Sequence, residues 1–427
     1  MRLRRSPAPP TDASTAKPTL LSALAQFRMF ESLQIRDFRW LWLASMGSFM
    51  AMNMQMITRG WLVLRLADDS PLALAFVMMT FSVPMTLVSP LAGALSDRIP
   101  RKRLVIMSQA GNGVFTLMLA ALDLSGVVTF WMVLVIGVLN GSMSAFQMPS
   151  RQAMIADIVP ESKLMNAISL NNSGMNISRI VGPALAGVLI IFIETAGVFF
   201  VVGGVYLVSV AAVMRITGTQ VIIDRPRKSV LGDIREGLVY VAADPVRRGL
   251  IIMAIIPELF GFSFFVLLPA WAREALDVQS DGLGMLLTFM GIGALAGTLI
   301  LASMNNLSRR GMVVVVSCVL WGIGLTFSSQ VTSYVLAVPL LLFVGFVSAL
   351  FMSLSVTLIQ LNSAPEMRGR MMSVRMMTLG FMPVTSVPFG AVAERIGTPD
   401  ALLISGVLLM VVTIVFALAS PGFRRIK

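Results

Sequence analysis

Gly93-Ala94-Leu95-Ser96-Asp97-Arg98-Ile99-Pro100-Arg101-Lys102-Arg103 lies between two long apolar segments. It packs a glycine, one acid and four bases into a short loop. Exposed ion pairs of this kind are worth about 0–1 kcal/mol each, enough to bias two packed arrangements without locking either. The stretch therefore points to a membrane protein that changes shape, with the loop acting as a releasable gate.

Composition agrees with that environment. The chain has 427 residues, 56% of them hydrophobic and 13% charged, whereas soluble domains carry about 25% charged residues. Uncharged runs of about 18 residues or more are long enough to span a bilayer. Such runs cover residues 72–95, 104–122, 124–150, 195–214, 282–308 and 401–421. The run 311–365 must hold two spans, broken near residues 328–333. Three further spans carry internal charge and begin near Trp40, Leu164 and Leu250; one from Met376 to Ala393 makes twelve.

Lysine and arginine separate between the two sides. One side takes the N-terminal tail, Arg98–Arg103, Arg151, Lys163, the central loop, Arg309, Arg310, Arg368, Arg370, Arg375 and the C-terminus. By the positive-inside rule that side and both termini are cytoplasmic. The net charge of +12 is thus a signal of topology, and no nucleic-acid partner is expected. Cys318 is the single cysteine and histidine is absent, which excludes a disulfide framework, cysteine or histidine metal sites and histidine proton relays. No glycine loop of the P-loop type is present, so no ATP-driven step and no cofactor is expected.

Residues 1–35 read as a tail, with 20–37 as a short interfacial helix. Residues 36–215 form a first six-helix bundle, 216–248 a cytoplasmic central loop with a surface helix at 229–243, 249–421 a second bundle, and 422–427 a cytoplasmic end. The bundles echo each other. Leu91-Ala92-Gly93 recurs as Leu295-Ala296-Gly297, Pro160-Glu161 as Pro365-Glu366 and Pro183 as Pro388, at offsets of 204 or 205. Transporters built from repeats bind cargo near the midplane between them and rock the halves about it.

The residues resemble the major facilitator superfamily, whose loop between the second and third helices reads Gly-x-Leu-Ala-Asp-Arg-x-Gly-Arg-Lys. Gly93, Leu95, Asp97, Arg98, Arg101 and Lys102 match it; Ser96 and Pro100 depart from it. Arg36-Asp37-Phe38-Arg39-Trp40-Leu41-Trp42, Pro149-Ser150-Arg151-Gln152-Ala153, Arg179-Ile180-Val181-Gly182-Pro183 and Arg368-Gly369-Arg370-Met371-Met372-Ser373 are similar to the bacterial enterobactin-exporter and macrolide-efflux type. The resemblance implies an all-α polytopic fold of twelve transmembrane helices in two pseudo-symmetric six-helix bundles, in the bacterial inner membrane. It also implies an exporter of amphipathic small molecules, not an enzyme. Gly174, Gly182, Pro183 and Gly187 resemble the fifth-helix motif associated with antiporters; the final paired glycine of that motif is Ala186-Gly187 here.

Asp97 is expected to face the N-terminus of a neighbouring helix, and Arg101 and Lys102 to pair with acids such as Asp157. Glu258, preceded by Pro257, falls well inside a span, and intramembrane carboxylates are costly and mark functional sites. It is the expected proton-coupling group; the alternative is a structural partner for Arg59 or Arg179. Arg59, Arg179, Asn53, Gln55, Asn140, Gln147, Asn172 and Asn176 are candidate contacts for the cargo. Arg65 is expected to snorkel to the surface. A single chain in the lipid bilayer, exchanging protons for a small molecule, is the expected machine. A facilitator or lipid translocator without proton coupling, or a sensor that moves nothing, is the alternative.

Overall fold

A computed structural model describes residues 28–96, 99–217, 230–303, 309–364, 367–378, 381–424 and 426. The segments between apolar runs set the helix order. α1 (Arg36–Leu66), α2 (Pro71–Ser96), α3 (Arg101–Leu124) and α4 (Phe130–Ile158) come first. Glu161–Met214 follows as 54 helical residues. At 1.5 Å per residue a straight helix of that length would reach about 80 Å, against about 30 Å of hydrocarbon. The chain instead turns at Glu194, where φ is 56°, a left-handed value few non-glycine residues adopt.

The two pieces are α5 (161–193) and α6 (195–214), and their contacts fix opposite directions. Trp42 Nε1 donates to Leu170 O at 3.2 Å, and a Cβ on Gly182 would meet Asn53 Cβ at 2.7 Å, so α5 runs along α1. Thr195 Oγ1 donates to Asp123 Oδ2 at one end of α3, and Lys102 Nζ donates to Met214 O at the other. α6 therefore runs back along α3.

The second half begins with the surface helix α7 (Val230–Ala242). α8 (Pro245–Phe260) starts on the Asp244 side chain, which accepts from Val246 N at 2.7 Å and Arg247 N at 3.1 Å; this is an N-cap with proline in the first turn. α9 (Ser263–Leu276) continues the same span after a break. Pro257 has no amide hydrogen to give Met253, and its own carbonyl takes both Gly261 N and Phe262 N, at 2.7 and 2.9 Å. α10 (Ser280–Ser303), α11 (Arg310–Ser329) and α12 (Tyr334–Leu361) come next. α13 (Arg368–Thr378) and α14 (Met382–Ile396) share one span, and α15 (Thr398–Ala419) is the last.

Among the described residues nine helices are long and apolar enough to cross a membrane, counting Ser162–Met214 once. Dividing that one, and adding α1 and the α13–α14 segment, gives twelve crossings. Their outer faces carry exposed Leu87, Trp131, Phe192, Val208 and Val335, as surfaces facing lipid rather than water must.

The halves touch along two seams. In one, α5 crosses α10: a Cβ on Gly187 would lie 2.5 Å from Ser280 O and 2.9 Å from Gly284 Cα. In the other, α14 crosses α2: a Cβ on Gly390 would meet Ala75 Cβ at 2.9 Å and Leu72 Cα at 3.1 Å. By the repeat offset α10 is the mate of α2 and the α13–α14 span is the mate of α5, so the seams are symmetry partners. Polar contacts reinforce the end away from Arg101–Arg103. Arg273 Nη1 lies 2.7 Å from Asp69 Oδ1 and its guanidinium 5.7 Å from the Trp61 ring. Glu394 Oε2 accepts from Ser70 Oγ at 2.8 Å and Leu72 N at 3.4 Å.

Four sequence expectations need correction. The described part of 20–37 is a 3₁₀ segment, Arg28–Gln34, after which α1 starts at Arg36; Ser32 there donates to Asn166 Oδ1 at 2.6 Å. The eleventh span starts at Arg368 rather than Met376. Arg375, counted with the loop bases, is 3% exposed, and Arg151, counted likewise, is 1% exposed. Both lie within helices, near enough to span ends that charge counting assigned them to loops.

Candidate functional site

Between the halves, α1, α2 and α9 line a cavity of about 130 Å³. Asn53, Gln55 and Arg59 supply its polar wall, and Met56, Met78, Phe81, Phe265 and Pro269 its apolar one. Such a mixture suits an amphipathic guest: a large apolar surface with a few polar groups that set orientation. Gln55 Nε2 donates to Thr116 Oγ1 at 2.6 Å, which donates on to Asn112 O at 2.6 Å. Asn53 Nδ2 donates to Phe49 O of its own helix at 2.8 Å. Arg59 is buried, and among the described residues its Nε and Nη2 have no hydrogen-bond partner.

α5 has four distinct sides. Gly174 and Gly182 meet α1, against Met46 and Asn53 respectively, while Ile180 and Gly187 meet α10. Ile177, Val181, Leu185 and Val188 are exposed and apolar, the lipid side. Helical spacing leaves Asn172, Asn176 and Arg179, all exposed, between the α1 and α10 contacts, facing the space between the halves. Gly182 and Gly187 are thus sites of close backbone approach, with Pro183 between them, whereas Gly174 makes room for the Met46 side chain. Asn140 and Gln147, expected on the cavity wall, are instead buried within the first half, on the inner face of α4.

Glu258 sits one residue beyond Pro257, just before the α8–α9 break. Its partner is neither Arg59 nor Arg179. Arg375 Nη1 lies 3.2 Å from Glu258 Oε1, with side chains 4% and 1% exposed. The same nitrogen donates to Thr378 Oγ1 at 2.5 Å. Among the described residues Glu258 Oε2 and Arg375 Nε are left without partners. A buried carboxylate with one oxygen unpaired can accept a proton there, and doing so would release its hold on the guanidinium.

At the basic end, Arg101 Nη1 meets Asp157 Oδ1 at 2.5 Å and Ala153 O at 3.3 Å. Lys102 Nζ donates to Met214 O at 2.9 Å and Ile216 O at 2.6 Å, so it meets carbonyls at the C-terminus of α6 as well as any acid. Gly93 lies in α2. Asp97 and Arg98 fall outside the described residues. Arg65 pairs with Asp123, whose side chain is 2% exposed; this contact is more than snorkelling.

Residues 28–422 match the model of a family described as transmembrane secretion effectors. The chain is 25% identical to the staphyloferrin A transporter of Staphylococcus aureus over 340 residues, 78% of this chain and 84% of that one. It is 24% identical to macrolide efflux protein A of Streptococcus pyogenes, over 81% and 87% of the two chains. To the multidrug efflux pump Tap of Mycolicibacterium fortuitum it is 26% identical, over 78% and 82%. In fold it is similar to the nucleoside transporter NupG, with a TM-score of 0.71 over 90% of this chain and 99% of that one, at 14% identity. A bacterial homologue of the lysosomal transporter Spinster, inward-facing and occupied, superposes with a TM-score of 0.69 over 91% and 96%, at 13% identity. The chain belongs to the transmembrane secretion effector family of the major facilitator superfamily, and is a multi-pass membrane transporter rather than an enzyme.

Proposed function

We propose that this transporter exports an amphipathic small molecule, of drug or siderophore type, by alternating access coupled to proton entry. The observation that carries the reading is the cavity between two halves that close on each other through paired glycine seams at one end. Cargo binds there through Arg59, Asn53 and Gln55, with methionine and phenylalanine around its apolar part, and reaches Arg179 and Asn176 of α5 across the space between the halves. The end bearing Arg101–Arg103 faces the cytoplasm, so the contacts Arg273–Asp69 and Glu394–Ser70 form the closed outer gate. Gly93, Asp97, Arg98, Arg101, Lys102 and Asp157 belong to the cytoplasmic gate. Glu258 takes the coupling proton, and Arg375 is the counter-charge it holds when ionised. The siderophore and drug cargoes named for the relatives support the class of molecule.

Purified protein in liposomes with an imposed pH gradient tests this against a candidate panel of siderophores, macrolides and lysolipids. Export that collapses with the gradient, and in Glu258→Gln, is expected. Movement indifferent to both would make the protein a facilitator and refute the coupling.

A further inference from the structure

A single charged residue lines the cavity between the halves, and among the described residues it has no counter-charge. Arg59 is 5% exposed, and every other residue of the lining is uncharged. Among the described residues no carboxylate lies within ion-pair distance of it. Asp123 is held by Arg65, Asp157 by Arg101, Glu31 by Lys163 and Asp69 by Arg273. Arg375 makes the contrast: it is a buried guanidinium of the second half, and Glu258 stands against it.

Hydrogen bonds do not make up for the missing charge. Nε and Nη2 of Arg59 are buried without a partner among the described residues. Nη1 reaches α4 at Gly137, where a Cβ would lie 3.8 Å from it and 2.5 Å from Thr80 Oγ1. The Thr80 hydroxyl gives its own hydrogen to Val77 O at 2.8 Å. Arginine stays protonated in proteins, and a buried charge without a partner is strongly unfavourable. The counter-charge is therefore left to come from outside the chain. Met56, Met78, Phe81 and Phe265 face the same space. A guest with an acid at one end of an apolar body satisfies both walls, whereas a cation would set like charges together at low dielectric.

We propose that the cargo is a monoanionic amphipath whose carboxylate pairs with Arg59 while its apolar body lies against the methionine and phenylalanine wall, and that cations of the same shape are refused. The inference rests on the cavity being the cargo site. Thermal unfolding of the full chain in a mild non-ionic detergent is followed against phenylbutyrate, phenylbutanol and phenylbutylamine, which share one apolar body, at constant pH and ionic strength. A saturable rise in the midpoint with the acid is expected. Its half-saturation should lie about ten- to a hundredfold below that of the alcohol, the ratio supplied by a charge-assisted bond of about 1.5–3 kcal/mol. The amine should give no rise. Arg59→Gln should bring acid and alcohol level, and Arg59→Lys, which keeps the charge and loses the planar fork, should keep the acid ahead by a smaller margin. Arg179→Gln should leave the preference intact. An alcohol or amine that does as well as the acid, or a preference that survives Arg59→Gln or is lost in Arg179→Gln, would overturn the proposal. Acid-selective binding without export in liposomes would refute the transport reading alone, and export without acid preference would refute this inference alone.

Discussion

Replacing Glu258 by glutamine removes one charge of a pair that is almost wholly buried and leaves the other uncompensated. At 3.2 Å and an effective dielectric of 20, the Coulomb attraction forgone is about 5 kcal/mol. Truncating one partner of a buried pair costs about 3–5 kcal/mol in practice. Glu258→Gln and Arg375→Gln should each destabilise by that order, because each strands the other's charge. The double variant should be far less damaged than the sum, with a coupling of about 2–3 kcal/mol. Unfolding in a mild detergent, read from tryptophan emission, measures all four corners of the cycle. Trp321 and Trp271 are fully buried in the same half and report on it. Additive losses, or singles within about 0.5 kcal/mol of wild type, would show that the two side chains do not share a charge and would sink the argument.

Gly187→Leu should abolish transport with the fold intact, since any side chain there must displace the Ser280 carbonyl at 2.5 Å. Transport and circular dichroism of the same preparation decide the matter. Glu394→Gln with Arg273→Ala should loosen the end away from the basic loops, so that a cysteine placed at Ala67 reacts faster with a membrane-impermeant maleimide; an unchanged rate would count against the latch. Asp244 is held below the usual carboxylate range chiefly by the backbone N–H of Arg247, with Val246 contributing. Its contribution to stability is therefore present above the unfolded-state pKa and lost as pH falls through the lower folded value. Hydrogen exchange at the start of α8 should rise in acid, and Asp244→Ala should show that faster exchange already at neutral pH.

The number of crossings was legible because uncharged runs longer than a bilayer leave few ways to fold. Even the turn at Glu194 follows from length alone. The candidate site was only partly legible. Glu258 stands out because it is an acid in an apolar run, yet its partner was hidden. Charge counting treats any base near a span end as a loop residue, so Arg375 and Arg151 were assigned to the surface. A signal existed in both places. Arg151 continues the spacing of Asn140, Ser144 and Gln147, and Arg375 lies on the buried face of α13 with Met371, Val374 and Thr378. Asn140 and Gln147 were misplaced for the converse reason: polarity marks a residue that needs a partner, and composition does not say whether cargo or a neighbouring helix supplies it.

The seams at Gly187–Gly284 and Gly390–Leu72 bring main chain against main chain with almost no side chain between. A bearing made this way has no chemistry of its own to match to a load. Mutations that reshape the methionine and phenylalanine wall can change what is carried while the pivot keeps working. The same separation offers a route to inhibition. A compound wedged into either seam would arrest the motion regardless of cargo, and resistance by substitution at the glycines would itself jam the hinge.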